Sequence, residues 1–207
     1  SLWLKSKVQH SLLSSKNIHL IYNGVNTDVF KPFPKNQARQ KLDIPLGKKV
    51  ILAVIKNGQS NPWKGGNFIN EAIDAFTHRQ DVVFICIGGD FISEQVINLP
   101  FIENERTLTL YYSASAVLLH PSIAETFGLT IAEAMACRLP IISFETGSIP
   151  ELVETGTNGF LAKYKDSADL IAKLKLILSL SDEKIKNMGI NGENKVQSNF
   201  TLDIMVN

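Results

Sequence analysis

Residues 116–144 read AVLLHPSIAETFGLTIAEAMACRLPIISF. The apolar run Ala116–Leu119 reads as a buried strand, and Pro140–Phe144 reads as another. Between them a short polar loop, Pro121 to Thr126, gives way to an Ala-rich helix that opens near Gly128. Strand, helix and strand in that order form a βαβ unit, which implies parallel strands joined by a right-handed crossover.

The same alternation extends outward in both directions. Val50–Ile55 and Val82–Ile87 are continuous apolar runs, of the kind buried on both faces of a parallel sheet. Gly159–Lys163 reads as a short strand, and Ile18–Tyr22, halted by the turn pair Asn23–Gly24, reads as a further one. Helices are expected over Gln37–Leu42, Phe68–Thr77, Leu108–Ala114, Ala168–Leu180 and Asp182–Val196, with a helix start near Pro150. The fold class is therefore α/β, a doubly wound, Rossmann-like parallel sheet. In such sheets ligands bind beyond the carboxyl ends of the strands, so the loops at 56–66, 88–91, 120–128 and 144–149 belong on one edge.

At 207 residues the chain is one large domain or a domain with appendages. Its net charge of +1 gives no broad basic field for nucleic acid, so an anionic ligand has to be gripped locally. Cys86 and Cys137 lie inside apolar runs and read as reduced core residues, which fits a reducing compartment. No 18-residue apolar run is present to span a membrane. The chain starts partway into a helical pattern (Trp3, Leu4, Val8, Leu12) and stops just after Thr201 could cap another helix. It is expected to be a piece of a longer protein.

Glu125 and Glu133 sit either side of the central helix start, eight residues apart. Two readings of them stand. Glu125 could be a carboxylate favoured by the helix dipole, worth about 0.3–1 kcal/mol, with Glu133 a solvated helix residue. Alternatively a phosphate-bearing ligand occupies the helix N-terminus and each glutamate accepts from its hydroxyl groups. Lys56 and Lys64, in the Gly-rich loop after Val50–Ile55, are either solvated surface or the cations of a diphosphate site. Lys64-Gly65-Gly66 lacks the Ser/Thr and spacing of a P-loop, and Gly88-Gly89-Asp90 lacks the dinucleotide GxGxxG spacing. His10, His19, His78 and His120 are scattered without metal-ligand spacing, and His120 reads as a strand-end residue. No GxSxG nucleophile elbow occurs, and Glu151 and Glu154 read as first-turn carboxylates.

The run HPSIAETFGLTIAEAMACRLPIISFETGSIPELVETGTNGFLA resembles the signature region of the retaining glycosyltransferases of the GT-B fold, in the large family 4. Upstream, IYNGVNTDVFKP is similar to that family's entry into its C-terminal domain, and KGG at Lys64 to its Lys-Gly element. The resemblance covers roughly residues 1–200. It implies one half of a two-domain GT-B architecture. Residues 1–30 would be the tail of a preceding acceptor domain with its linker, 31–190 the donor-binding domain, and 191–207 the start of the connecting helices.

The resemblance also implies roles for individual residues. Glu125 would touch the donor sugar, Lys64 and Lys56 would neutralise the diphosphate, and Glu133 would hold the ribose hydroxyls. Thr126, Phe127, Gly128, Leu129 and Gly65 would line the diphosphate cradle, and Phe101–Ile102 would lie beside the nucleobase. The implied reaction moves a sugar from a nucleotide-diphosphate sugar, such as a UDP- or GDP-sugar, to a glycan or lipid-linked saccharide with retention. No metal or other cofactor is expected. The implied location is the cytoplasm at the inner membrane face, with peripheral association through the missing half, and the piece alone is expected to be inactive. An epimerase on the same fold or a non-catalytic sugar-nucleotide module are the alternatives. Two positions depart from the family pattern: Ile55-Lys56 stands where Gly-Arg is usual, and Arg138 stands where glycine is usual.

Overall fold

The computed structural model describes residues 1–55 and 61–206. In chain order it forms α1 (Leu2–Gln9), α2 (Lys35–Lys41), β1 (Lys49–Val54), α3 (Gly66–Ala75), β2 (Val82–Ile87), β3 (Val96–Leu99), α4 (Glu105–Ala114) and β4 (Val117–His120). It continues with α5 (Leu129–Ala136), β5 (Ile141–Phe144), α6 (Ile149–Leu152), β6 (Gly159–Ala162), α7 (Ser167–Ser179), α8 (Asp182–Asn199) and α9 (Leu202–Val206). The strands form one six-stranded sheet in the order β3-β2-β1-β4-β5-β6. Every pairing in it is parallel.

The unbroken apolar strands serve two cores at once, because successive side chains point to opposite faces. Val50 and Leu52 of β1, with Leu118 of β4 and Ile141 of β5, pack on the α4–α5–α8 side. Ile51, Ala53, Val117, Leu119 and Ile142 point the other way, onto α3 and α7. Between β1 and β4 the winding of the chain reverses, and in sheets of this kind ligands bind at such a switch point, beyond the carboxyl edge.

Two expectations fail. Ile18–Tyr22 pairs with nothing in the sheet. Instead Tyr22 packs on Phe127 and Phe200, and no turn forms at Asn23–Gly24 before Val25 bridges Thr201. The aromatic core, rather than the ladder, claims this segment. The sequence reading also passed over β3, a short edge strand whose middle residues are exposed. Its VINL run alternates too weakly to stand out.

The turn at Arg138 does form, with a left-handed φ of 61°. That conformation costs a non-glycine residue about 1–2 kcal/mol. The Arg138 guanidinium pairs with Glu193 of α8.

The loop between β4 and α5 is clamped by backbone contact at two glycines. A Cβ on Gly65 (φ 69°) would meet the Pro121 carbonyl oxygen at 2.0 Å, and one on Gly147 (φ 55°) would meet that of Glu125 at 2.1 Å. Only glycine permits both the left-handed turn and the approach. Gly147→Ala is therefore expected to lower stability by about 2 kcal/mol or more, read as a shifted urea midpoint. An unchanged midpoint would show that the loop is not held there.

Candidate functional site

Four loops meet at the carboxyl edge around the start of α5. Gly128 is the N-cap of α5, no side chain caps the helix, and its first turn holds no acidic residue. No side chain therefore satisfies the leading amides, the arrangement that suits an anion at a helix start. Leu129, the first helical residue, is half-exposed, and Thr126 is exposed beside it. The Glu125 backbone is pinned by Ser148, whose amide donates to its carbonyl at 3.1 Å. Ile123 is pinned by its own amide donating to the Trp63 carbonyl at 2.9 Å.

In front of that helix start Lys64 Nζ donates to Glu125 Oε2 at 2.8 Å. The Glu125 side chain is only 14% exposed. Behind it lies His120, which is buried and places Nε2 3.3 Å from the same oxygen. Burial lowers the pKa of His120, opposed by the hydrogen bond to Glu125 and aided by the Lys64 charge. The ring is therefore neutral at pH 7, and its Nε2–H donates a hydrogen bond rather than completing an ion pair. Ser122 Oγ lies 3.0 Å from the same nitrogen. Burial of Glu125 opposes ionisation, but the hydrogen bonds from His120 and Lys64 outweigh it and hold the carboxyl down at about 2. It is a permanent anion and a hydrogen-bond acceptor.

Glu133, one turn into α5, is placed the opposite way. Desolvation pushes its carboxyl up to about 7, helped by the Glu105 charge and opposed by the Tyr112 hydroxyl, which donates to it at 2.9 Å. Tyr112 is buried on α4, and its own hydroxyl is raised well above its ordinary value by burial and the Glu133 charge. Two glutamates eight residues apart thus carry opposite protonation tendencies.

The remaining expected residues divide into those at the edge and those in the core. Gly65 caps α3 against the central loop. Phe101 is 40% exposed beyond β3, beside Gly88, and Ile102 packs against the core next to it. The Phe127 ring is buried against Tyr22 and Phe200, so only its backbone can serve a ligand. Lys56 lies outside the described residues. Glu151 does sit in the first turn of α6, but its carboxylate accepts from the amides of Leu2 and Trp3 and from the Tyr22 hydroxyl. Sequence reasoning missed Tyr112 and undervalued His120. The signals available were a tyrosine one turn from Leu108 and a histidine opening the loop that carries Glu125. Among the described residues no cluster of His, Cys, Asp and Glu could hold a metal ion.

The fold defines a Rossmann-like domain, with the uncapped start of α5 at its switch point. The family described as Glycosyl transferases group 1 matches residues 34–195. The chain belongs to that family. The D-inositol 3-phosphate glycosyltransferase 1 of Catenulispora acidiphila is 27% identical over 175 residues, covering 74% of this chain and 41% of that protein. The D-inositol 3-phosphate glycosyltransferase of Mycolicibacterium smegmatis is 28% identical over 170 residues, covering 73% and 38%. The chain thus spans less than half the length of these curated relatives. Sucrose-phosphate synthase from Thermosynechococcus elongatus superposes with a TM-score of 0.87 at 24% identity, over all of this chain and 54% of that one. Anabaena Alr3699/HepE, solved with UDP-glucose, superposes with a TM-score of 0.75 at 25% identity, over 91% of this chain and 55% of that one.

The contrast between the glutamates sets the response to pH. The Glu133 carboxyl titrates near 4.5 unfolded and about 7 folded, so the fold disfavours its ionised form. No penalty applies below pH 4.5; it grows as pH rises through 7, to roughly 2–3 kcal/mol. Glu133→Gln should therefore unfold later than the parent at pH 8, and the two should converge near pH 4.5 in thermal melts. A pH-independent difference would refute the assignment.

Proposed function

We propose that this chain is the donor-binding half of a retaining glycosyltransferase that takes a sugar from a nucleotide-diphosphate sugar. The observation that carries the reading is the Lys64–Glu125 pair at 2.8 Å in front of the uncapped α5 N-terminus, at the switch point of the sheet. The curated relatives named as glycosyltransferases and the UDP-glucose complex of the Anabaena protein support it.

In this reading the diphosphate sits on the α5 amides, and Lys64 turns from Glu125 towards it. Lys56 supplies a second cation, a point charge rather than the bidentate fork of the arginine usual there. These fixed charges stabilise the leaving diphosphate, which is the role a metal ion fills elsewhere. Glu125, ionised at all physiological pH, cannot donate a proton. It accepts from hydroxyls of the donor sugar and stands beside the positive charge that develops as the glycosidic bond breaks. Glu133 accepts from the ribose, and Phe101–Ile102 border the base.

A preceding acceptor domain would complete the site, with residues 1–30 as its tail and linker and 191–207 as the connecting helices. The Val25–Thr201 bridge, which ties the two connecting segments together, supports this division. Closure of the two domains would exclude water and favour transfer over hydrolysis. The acceptor class is a glycan or a lipid-linked saccharide.

The test is ligand-observed NMR of this chain with UDP-, GDP- and ADP-sugars, followed by calorimetry of the best binder. One base class is expected to bind, and Lys64→Ala is expected to weaken it at least tenfold, about 1.4 kcal/mol. Unchanged affinity in both Lys64→Ala and Glu133→Gln would sink the site assignment. Robust sugar transfer by the isolated chain would sink the division of labour.

A further inference from the structure

A cavity lies at the opposite edge of the sheet from the candidate donor site. It has a volume of about 810 Å³ and is lined at the amino ends of β1, β4 and β5, with α2, the end of α7 and the start of α8 closing it. That volume is in the range of small-molecule sites, roughly 300–1,000 Å³.

Its charge is one-sided. Six of the charged side chains on its wall are cationic and one, Asp182, is anionic. Arg138 has its own carboxylate in Glu193. Among the described residues no carboxylate lies within ion-pair distance of the other five cations. Lys48 and Lys49 turn their ammonium groups to the carbonyls of Gln80 and Leu178.

Arg39 is the most telling of the five. It is buried, and its guanidinium donates only to main-chain carbonyls, those of Ala114, Pro45 and Leu46. A buried charge is ordinarily paired, because desolvating it alone is costly. Lys35 reaches solvent but is recessed in the cleft, where burial, then Arg39, pulls its ammonium down to about 8 against Asp182. Burial is the larger cause, and the neighbouring Arg39 cation adds to it more than Asp182 offsets. Between these charges the wall is apolar, with Phe33, Leu46 and Leu180.

We infer that this cavity is a second anion site, separate from the donor crevice, which takes a phosphate-bearing small molecule or headgroup. Lys35, Lys186 and Arg39 meet the phosphate, and the organic remainder lies on Phe33, Leu46 and Leu180. A compact inorganic ion would leave most of the space empty, whereas a phosphorylated amphiphile uses both the cations and the apolar wall. Because the cavity opens at the amino edge, its occupant does not compete with a nucleotide sugar. The inference stands on the cavity and its charges, whatever the donor crevice binds.

The experiment uses two phosphate sources on the 207-residue chain. Inorganic pyrophosphate is titrated in a Lys64→Ala background, so that the donor crevice is weakened, and followed by amide shifts. Vesicles of phosphatidylcholine doped with phosphatidic acid are used in a co-sedimentation arm. Saturable shifts at residues 35–49 and 180–186 that weaken at least tenfold in Lys35→Glu/Lys186→Glu support a soluble phosphate ligand. Sedimentation lost in the same variant, without pyrophosphate saturation, supports a lipid headgroup. If charge reversal lowers the melting temperature, Lys35→Gln/Lys186→Gln is read instead. Absence of both signals, or signals indifferent to these lysines, overturns the inference.

Discussion

The β4–α5 loop is short, carries a largely buried carboxylate, and has to keep an ion pair at one place. Backbone contact supplies that constraint. The Pro121 and Glu125 carbonyls are each approached by a glycine from another loop, closer than any side chain would allow. Ile123 is held between them by the Trp63 carbonyl and the Tyr164 hydroxyl. Remove these contacts and Glu125 has no fixed position, Lys64 no fixed partner, and the α5 amides no defined approach. Preorganised charge acts only where such a scaffold holds it still.

Within that scaffold one residue type performs two functions. Both glutamates are desolvated, so burial alone would raise both. At Glu125 two donors, a lysine and a neutral histidine, reverse the direction. At Glu133 a single tyrosine hydroxyl does not, and Glu105 works against it. Partner count and partner charge, not depth, decide which carboxylate is ionised. An acid/base pair of the glycosidase kind would need shared access to one bond. Here each carboxylate faces its own neighbours on either side of a helix start.

The fold was legible because its strands are buried on both faces and therefore stand out as apolar runs. Val82–Ile87 appears in the structure with the limits read from sequence. Edge elements were less legible: β3 is half exposed, and of Ile18–Tyr22 it is Tyr22 that packs, into an aromatic cluster rather than a ladder. At the site, residue types and the order of strand, loop and helix marked out Lys64, Glu125 and the α5 start. Tyr112 and His120 act through contacts across 21 and 5 residues, and no local pattern encodes such contacts. Burial itself, which moves His120 and Glu133 and has to be outweighed at Glu125, is a property of the whole sheet. The basic cavity shows the same limit, since a net charge of +1 conceals six cations and a single carboxylate on the wall of one cavity.

The resting ion pair also bears on selectivity in the proposed reaction. A diphosphate that draws Lys64 away leaves Glu125, only 14% exposed, with its anion supported by His120 alone. A buried carboxylate stripped of a partner is penalised by about 1–3 kcal/mol or more. A bare nucleoside diphosphate incurs that penalty, whereas a nucleotide sugar offsets it by donating sugar hydroxyls to the vacated oxygen. Transfer of the sugar removes those donors, so Lys64 is again drawn towards Glu125 and away from the product. In the proposed reaction the same ion pair would thus favour the donor over the spent nucleotide, with no contact to the base required.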